Sequence, residues 1–312
     1  MSDAPTVSTP DPDDHPGHHA GHHLAGRLDD RLLSVVIQGP ATAALAATVA
    51  SVRRWLPNAE LIVSSWEGSD VDGLDADEIV LSPDPGSVSY LDTRGQRTKK
   101  LFNTNRMIRS TRAGVARATR PYLLKMRNDT PLRSDLVLHW LARPDGPRTE
   151  ALRIFRRRIV MPNIAVRPAE TMPGLLFHPS DIVHAGLTED VRALWDAAEE
   201  IDETVNTEWF LHHERPVPAG IAGGYARYYN EQVVWLACLR RHGLDPGYDC
   251  VGHVTPELVE ASTLGLVNNF VCVEPWQLGI TLSFDQLVRL SAVWNYAWYE
   301  PWQRAVERLD AA

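Results

Sequence analysis

Apolar and polar positions begin to alternate in a folded pattern at Leu32. "LLSVVIQGP" is a short β-branched apolar run stopped by Gly39-Pro40, and "TAALAATVASVRRWLP" carries helical spacing as far as Pro57. "AELIVSSWEG" and "DEIVLSPDPG" read as further strands, and "NTNRMIRSTRAGVARAT" reads as a second helix. "PYLLKMRNDT" then opens as a buried strand. Strand, helix, strand, strand, helix, strand predicts an α/β fold, a mostly parallel sheet covered by helices. The second half is less regular, with "RIFRRRIVMPN", "GLLFHPSDIVHAGL", helices at "TEDVRALWDAAEEI" and "NEQVVWLACLRRHG", and the apolar run "LGLVNNFVCVE". No internal repeat interrupts it. These pieces are expected to extend the sheet and to form the other wall of a cleft within one domain.

The fourth strand ends unusually. Alternate residues of a strand share a face, so Lys125, Arg127 and Asp129 point one way while Leu124 and Met126 point the other. A solvated salt-bridge row on an edge strand is the plain reading. A covered strand charged only at its carboxyl end fits a ligand better. One acid can hold a divalent cation and two cations can meet phosphate oxygens, a combination suited to a pyrophosphate. In parallel sheets ligands sit beyond the carboxyl ends of the strands, where Gln38, Ser64-Ser65-Trp66 and Arg127-Asn128-Asp129 gather.

Composition narrows the partners. The 312 residues are 44% hydrophobic and 23% charged, with a formal net charge of −9. That charge excludes general affinity for nucleic acid or anionic lipid, yet allows a local basic pocket for a phosphorylated ligand. Cys238, Cys250 and Cys272 form no CxxC pair and point to a reduced compartment. No apolar run reaches spanning length and the amino end is acidic, so the chain reads as cytoplasmic, without signal peptide or anchor. Residues 1–30, rich in Pro, Gly, acid and His, read as a disordered tail. Its His15, His18, His19, His22 and His23 are more simply a solvated stretch than a metal site.

"SVVIQGP", "LPNAELIVSSWEG", "NTNRMIRSTRAGV", "YLLKMRND", "FHPSDIVHAGL", "NEQVVWLACLRRHG" and "LVNNFVCVEPWQLGI" occur in the order found in the WavE-type lipopolysaccharide and capsule biosynthesis proteins. The resemblance runs over residues 34–284. It implies a GT-A-like glycosyltransferase, a Rossmann-like sheet that binds a nucleotide-sugar donor and transfers its sugar to a hydroxyl acceptor. That acceptor would be a surface-glycan precursor or a specialised metabolite. The corresponding units are the tail, a GT-A-like domain over 31–284 and an aromatic helix over 285–312.

Under this resemblance Gln38, Gly39 and Pro40 meet the nucleoside, glycine letting the backbone approach and glutamine reading base or ribose. Ser65 and Trp66 end the second strand, where Trp66 stacks on the base or simply packs a turn. Asn105, Arg106 and Arg109 open the second helix, with Arg106 or Arg109 toward the phosphates or toward solvent. Lys125 and Arg127 complete the donor set. Where many GT-A enzymes carry Asp-x-Asp, this chain has Arg127-Asn128-Asp129. Asp129 would therefore hold Mn²⁺ or Mg²⁺ with help from the pyrophosphate, with His178 and His253 as further ligands, or Arg127 does part of the cation's work. Asp181 and Glu231 are the candidate bases for an acceptor hydroxyl, unless they are a helix cap and a first-turn acid. A retaining route requires no such base. A nucleotidyltransferase, or a non-catalytic nucleotide- or glycan-binding relative, remains the alternative. At the carboxyl end, Trp294 and Trp298 share a helical face, for packing or for peripheral contact with the inner face of a membrane.

Overall fold

The computed structural model describes residues 26–91, 97–167, 169, 173–202, 206–213, 226–282, 304 and 306–307. Nearly all of the histidine-rich tail, and the Trp294–Trp298 stretch, lie outside the described residues. The strands are β1 (Leu33–Gln38), β2 (Glu60–Trp66), β3 (Glu78–Ser82), β4 (Val88–Leu91), β5 (Arg97–Phe102), β6 (Tyr122–Arg127), β7 (Ile159–Pro162), β8 (Val183–Leu187) and β9 (Phe270–Val273). The principal helices are α1 (Ala43–Trp55), α2 (Thr104–Val115), α3 (Val137–Ala142), α4 (Thr188–Asp196), α5 (Asn230–Arg241) and α6 (Pro256–Asn269).

Seven strands make one sheet in the order β3-β2-β1-β6-β8-β7-β9. β3, β2, β1 and β6 run parallel, β8 is antiparallel to both β6 and β7, and β7 is parallel to β9. This is the mostly parallel sheet flanked by helices that the alternation of elements predicts. β4 and β5 form a separate antiparallel ribbon that the apolar pattern does not announce.

Period-2 alternation assigns the two faces. Val36 and Leu123 join one apolar layer with Met107, Ile108 and Val115 of α2 and Leu194 and Trp195 of α4. Val35, Ile37, Leu124 and Met126 join the opposite layer with Leu45, Val49 and Val52 of α1 and Leu138 and Leu141 of α3. With both faces covered, every residue of β1 is buried, as a central parallel strand requires. α1 meets its layer through Leu45, Thr48, Val49 and Val52, spaced as one helical stripe. α2 comes closer still. A Cβ on Gly114 would stand 2.6 Å from Val36 Cγ1, so only glycine lets this helix settle on β1.

The apolar run 264–274 divides into the last turns of α6 and the whole of β9. Among the described residues no helix is long and apolar enough to cross a membrane.

Candidate active site

The carboxyl ends of β1, β2 and β6 open on a cleft of about 430 Å³. Gln38, Gly39, Pro40, Trp66, Arg106, Arg127 and Asp181, all singled out from the sequence, line it. The floor is stitched from two loops. Asn128 N donates to Gln38 O at 2.9 Å and Asn128 Nδ2 to Pro40 O at 2.7 Å, while Thr48 Oγ1 of α1 donates to Asn128 O at 2.8 Å. Gly39 has φ +133°, and a Cβ there would meet Asn128 Oδ1 at 2.6 Å. Glycine at 39 is thus required twice, by conformation and by the approach of Asn128. Ser110 Oγ of α2 donates to Gln38 Oε1 at 2.8 Å and fixes that amide at the cleft wall.

The cations sit in carboxylate forks. Arg106 is held by Asp84, Nε to Oδ1 at 2.8 Å and a terminal nitrogen to Oδ2 at 2.6 Å, and Asn103 Oδ1 accepts from it at 3.2 Å. That bidentate grip holds the Asp84 carboxyl below its usual range. Arg127 binds Asp129 the same way, at 3.0 and 2.7 Å.

Four of the expected donor residues do not line the cleft. Lys125 pairs in register with Val36 on one side and His184 on the other, two residues short of the strand end, so its side chain lies under α4. Its Nζ donates to the Asp181 main-chain oxygen and sits 4.7 Å from the Trp195 ring centre. Burial there lowers its pKa to about 8, opposed by the charge of Asp181. Ser65 is on the other face of β2, fully buried, its hydroxyl donating to Ser69 Oγ at 3.2 Å. Asn105 clamps the chain after α4, exchanging bonds of 2.9 and 2.8 Å with the Ile201 backbone. Arg109 spends its guanidinium on Glu200 at 2.5 and 2.7 Å and on Pro83 O at 2.9 Å.

The candidate bases converge. The turn carrying Asp181 is pinned by Lys125 and by His184, whose Nδ1 accepts from Trp195 Nε1 at 3.0 Å, leaving Nε2–H to donate to Ser180 O at 2.7 Å. Asp181 thus faces the cleft on a rigid support. Glu231 lies in the first turn of α5, next to Asn230 of the cleft wall, with its carboxyl 3.3 Å from His178 Nε2. Burial first, then the charge of Asp181, pushes Glu231 up to about 8. Burial and then Arg167 push His178 down to about 3. Burial thus disfavours the charged form of both partners in this contact.

A divalent cation finds little protein support. Among the described residues no group of three or more His, Cys, Asp or Glu side chains stands where a metal ion could be held. Asp129 is committed to Arg127 and does not line the cleft. His178 is committed to Glu231, and His253 lies 3.7 Å from Asp249 and stacks on Tyr248. Of the expected metal ligands, Asp129, held by Arg127, is the one that directly follows Asn128 of the cleft floor.

Asp84, Asn103 and Asn230 also line the cleft and were not among the sequence candidates, and Asn128, expected at this edge but without a role, lines it too. Asn103 and Asn230 stand where α2 and α5 start, and Thr104 Oγ1 donates to Asn230 Oδ1 and ties the two helix starts together. Asparagine immediately before or at a helix start was the available signal.

No curated protein matches this chain. Among solved structures it is similar to the mannosyltransferase PcManGT from Pyrobaculum calidifontis, determined in complex with GDP-Man and Mn²⁺. That likeness has a TM-score of 0.33 and 12% sequence identity, over 92% of this chain and 86% of that one. Residues 33–308 match the family model described as WavE lipopolysaccharide synthesis, and the chain belongs to that family.

Proposed function

We propose that the chain is a glycosyltransferase that takes a sugar from a nucleotide-sugar donor and places it on a hydroxyl of a surface-glycan precursor. One observation carries this reading: Arg106, Arg127 and Asp181 face a common cleft at the carboxyl ends of the parallel strands. Gln38 and Trp66 receive the nucleoside, the first by hydrogen bonds and the second by stacking. Arg106 and Arg127 bind the phosphates by exchanging a carboxylate partner for a phosphate oxygen, the geometry their forks already hold.

Asp181 accepts the proton of the attacking hydroxyl, in an inverting reaction, while Lys125 and His184 keep its turn in place. Glu231, whose burial favours the protonated form, stands against His178 next to the cleft wall. Mn²⁺ or Mg²⁺, when bound, would meet Asp129 and the pyrophosphate and offset negative charge on the leaving nucleoside diphosphate.

The products test the reading. Incubation with GDP- and UDP-sugars, with and without an acceptor glycan, is expected to release the free nucleoside diphosphate, slowly by hydrolysis when no acceptor is present. Release of pyrophosphate instead would identify a nucleotidyltransferase using the same arginines. Binding of donor without any turnover would identify a non-catalytic relative.

A further inference from the structure

A second concavity, of about 310 Å³, opens at the opposite end of β6. Tyr122, the first residue of that strand, borders it, with Trp140 and Arg143 at the end of α3 and Arg157 and Arg158 on the segment entering β7. Tyr122 to Arg127 is five strand steps, so roughly 16 Å of β6 separates it from the donor cleft. Arg157 and Arg158 belong to "RIFRRRIVMPN", which the donor site leaves unused, and Arg143 follows α3.

Main-chain carbonyls and a phenol meet Arg157 and Arg158. Arg157 donates to Tyr122 Oη at 3.3 Å, to Leu141 O at 3.2 Å and to Arg143 O. Arg158 is buried and donates to the carbonyls of Val267, Gly146 and Pro147 at 2.7, 3.1 and 2.5 Å. Arg143 stacks on Trp140, 4.4 Å from the ring centre, and its guanidinium has no hydrogen-bond or carboxylate partner among the described residues. Asp145, the carboxylate among the described lining residues, lies 3.2 Å from Arg148 and accepts from Arg158 N. Among the described lining residues arginines thus outnumber carboxylates, on a chain whose formal net charge is −9, so a general attraction for anions does not account for the cluster. The indole of Trp140 and the ring of Tyr122 add flat apolar walls, the surface that one face of a pyranose ring covers. Guanidinium forks match carboxylate and phosphate oxygens.

We propose that this cleft binds an anionic saccharide, a carboxylated or phosphorylated sugar unit, independently of the donor site. In a glycosyltransferase it would anchor the acceptor glycan away from the reacting end. That use rests on the function proposed above; the binding itself does not.

Calorimetry on the full chain tests it, with trigalacturonate, glucose 6-phosphate, neutral maltotriose and inorganic phosphate as probes. At least one of the two anionic sugars is expected to bind, with salt-weakened affinity. Arg143→Glu should weaken it at least tenfold, Arg143→Lys should restore part of the loss, and Arg127→Ala should leave it unchanged. Maltotriose is expected to bind far more weakly. Nucleoside diphosphate binding, measured in parallel, should survive Arg143→Glu and so report an intact fold. The proposal is overturned if neither anionic sugar binds, if Arg143→Glu binds them like wild type, or if inorganic phosphate alone binds as tightly. Loss of saccharide binding in Arg127→Ala rather than Arg143→Glu would also overturn it, by locating the sugar in the donor cleft.

Discussion

Lys125 and Arg127 lie two residues apart on one face of β6, yet burial separates their roles. The register puts Lys125 against Val36 and His184 in mid-sheet, while Arg127 stands opposite Gln38 at the strand end. Alternation therefore fixed the shared face, and the position of α4 decides which charge reaches the cleft. Glu231 gives a testable consequence of the same kind. Its folded pKa of about 8 lies above the ordinary glutamate value near 4.5, so between those limits the folded state binds more protons than the unfolded one. This acid therefore costs stability increasingly as pH rises from about 4.5 to about 8. Glu231→Gln, always neutral, should gain melting temperature relative to wild type across that window and keep a constant advantage above it. Thermal melts at pH 5, 7 and 9 check the sign, and a gap that does not widen would refute the buried, protonated acid. Turnover separates the two candidate bases. If Asp181 is the base, Asp181→Asn should lose about 10²-fold or more in kcat. Wild-type kcat should then show no rise through pH 8. A rise there, with Asp181→Asn fully active, would transfer the role to Glu231.

At the scale of elements, the site depends on how β1 and β6 end. Gln38-Gly39-Pro40 and Arg127-Asn128-Asp129 interlock through Asn128, so the sequence between the two charges is a structural bracket. Gly39→Ala forces both a side chain into Asn128 and an L-residue to φ +133°, and should cost about 1–3 kcal/mol in urea unfolding. A cost near zero would mean that the bracket relaxes freely. The elements of the first half were legible because apolar β-branched runs alternate with helical stripes ended by Gly or Pro. The β4–β5 ribbon was not, since residues such as Arg97, Lys99 and Lys100 give no apolar alternation to read. α6 was hidden for another reason: its buried face includes Ser262, Gly265, Asn268 and Asn269, so it lacks an apolar stripe. Asn269 earns its burial by bonding the backbone of Leu152, Ile154 and Phe155 across the fold.

Across the whole molecule, the sheet presents one cleft at each end of β6, one expected from the gathered strand ends and one that only the folded chain brings together. Arg143 and Arg157 stand fourteen positions apart in sequence, and no local pattern links them to Trp140 and Tyr122. Pairing was the other thing the sequence did not disclose. Arg106 with Asp84, and Arg109 with Glu200, are long-range forks between α2 and loops whose geometry follows from the packing of α2 on the sheet.

Titration of GDP and UDP by calorimetry, in Mn²⁺ and in EDTA, tests most directly whether the first cleft is a nucleotide-sugar site. At least one of the two nucleotides is expected to bind wild type. Arg127→Ala should weaken it about tenfold or more in both media, the loss expected for a charge-assisted bond to phosphate. Asp129→Asn should lose only the part that Mn²⁺ adds. Binding of the same nucleotide by wild type, Arg127→Ala and Asp129→Asn with equal affinity in both media would contradict the account, leaving the charges at the end of β6 as a structural ladder.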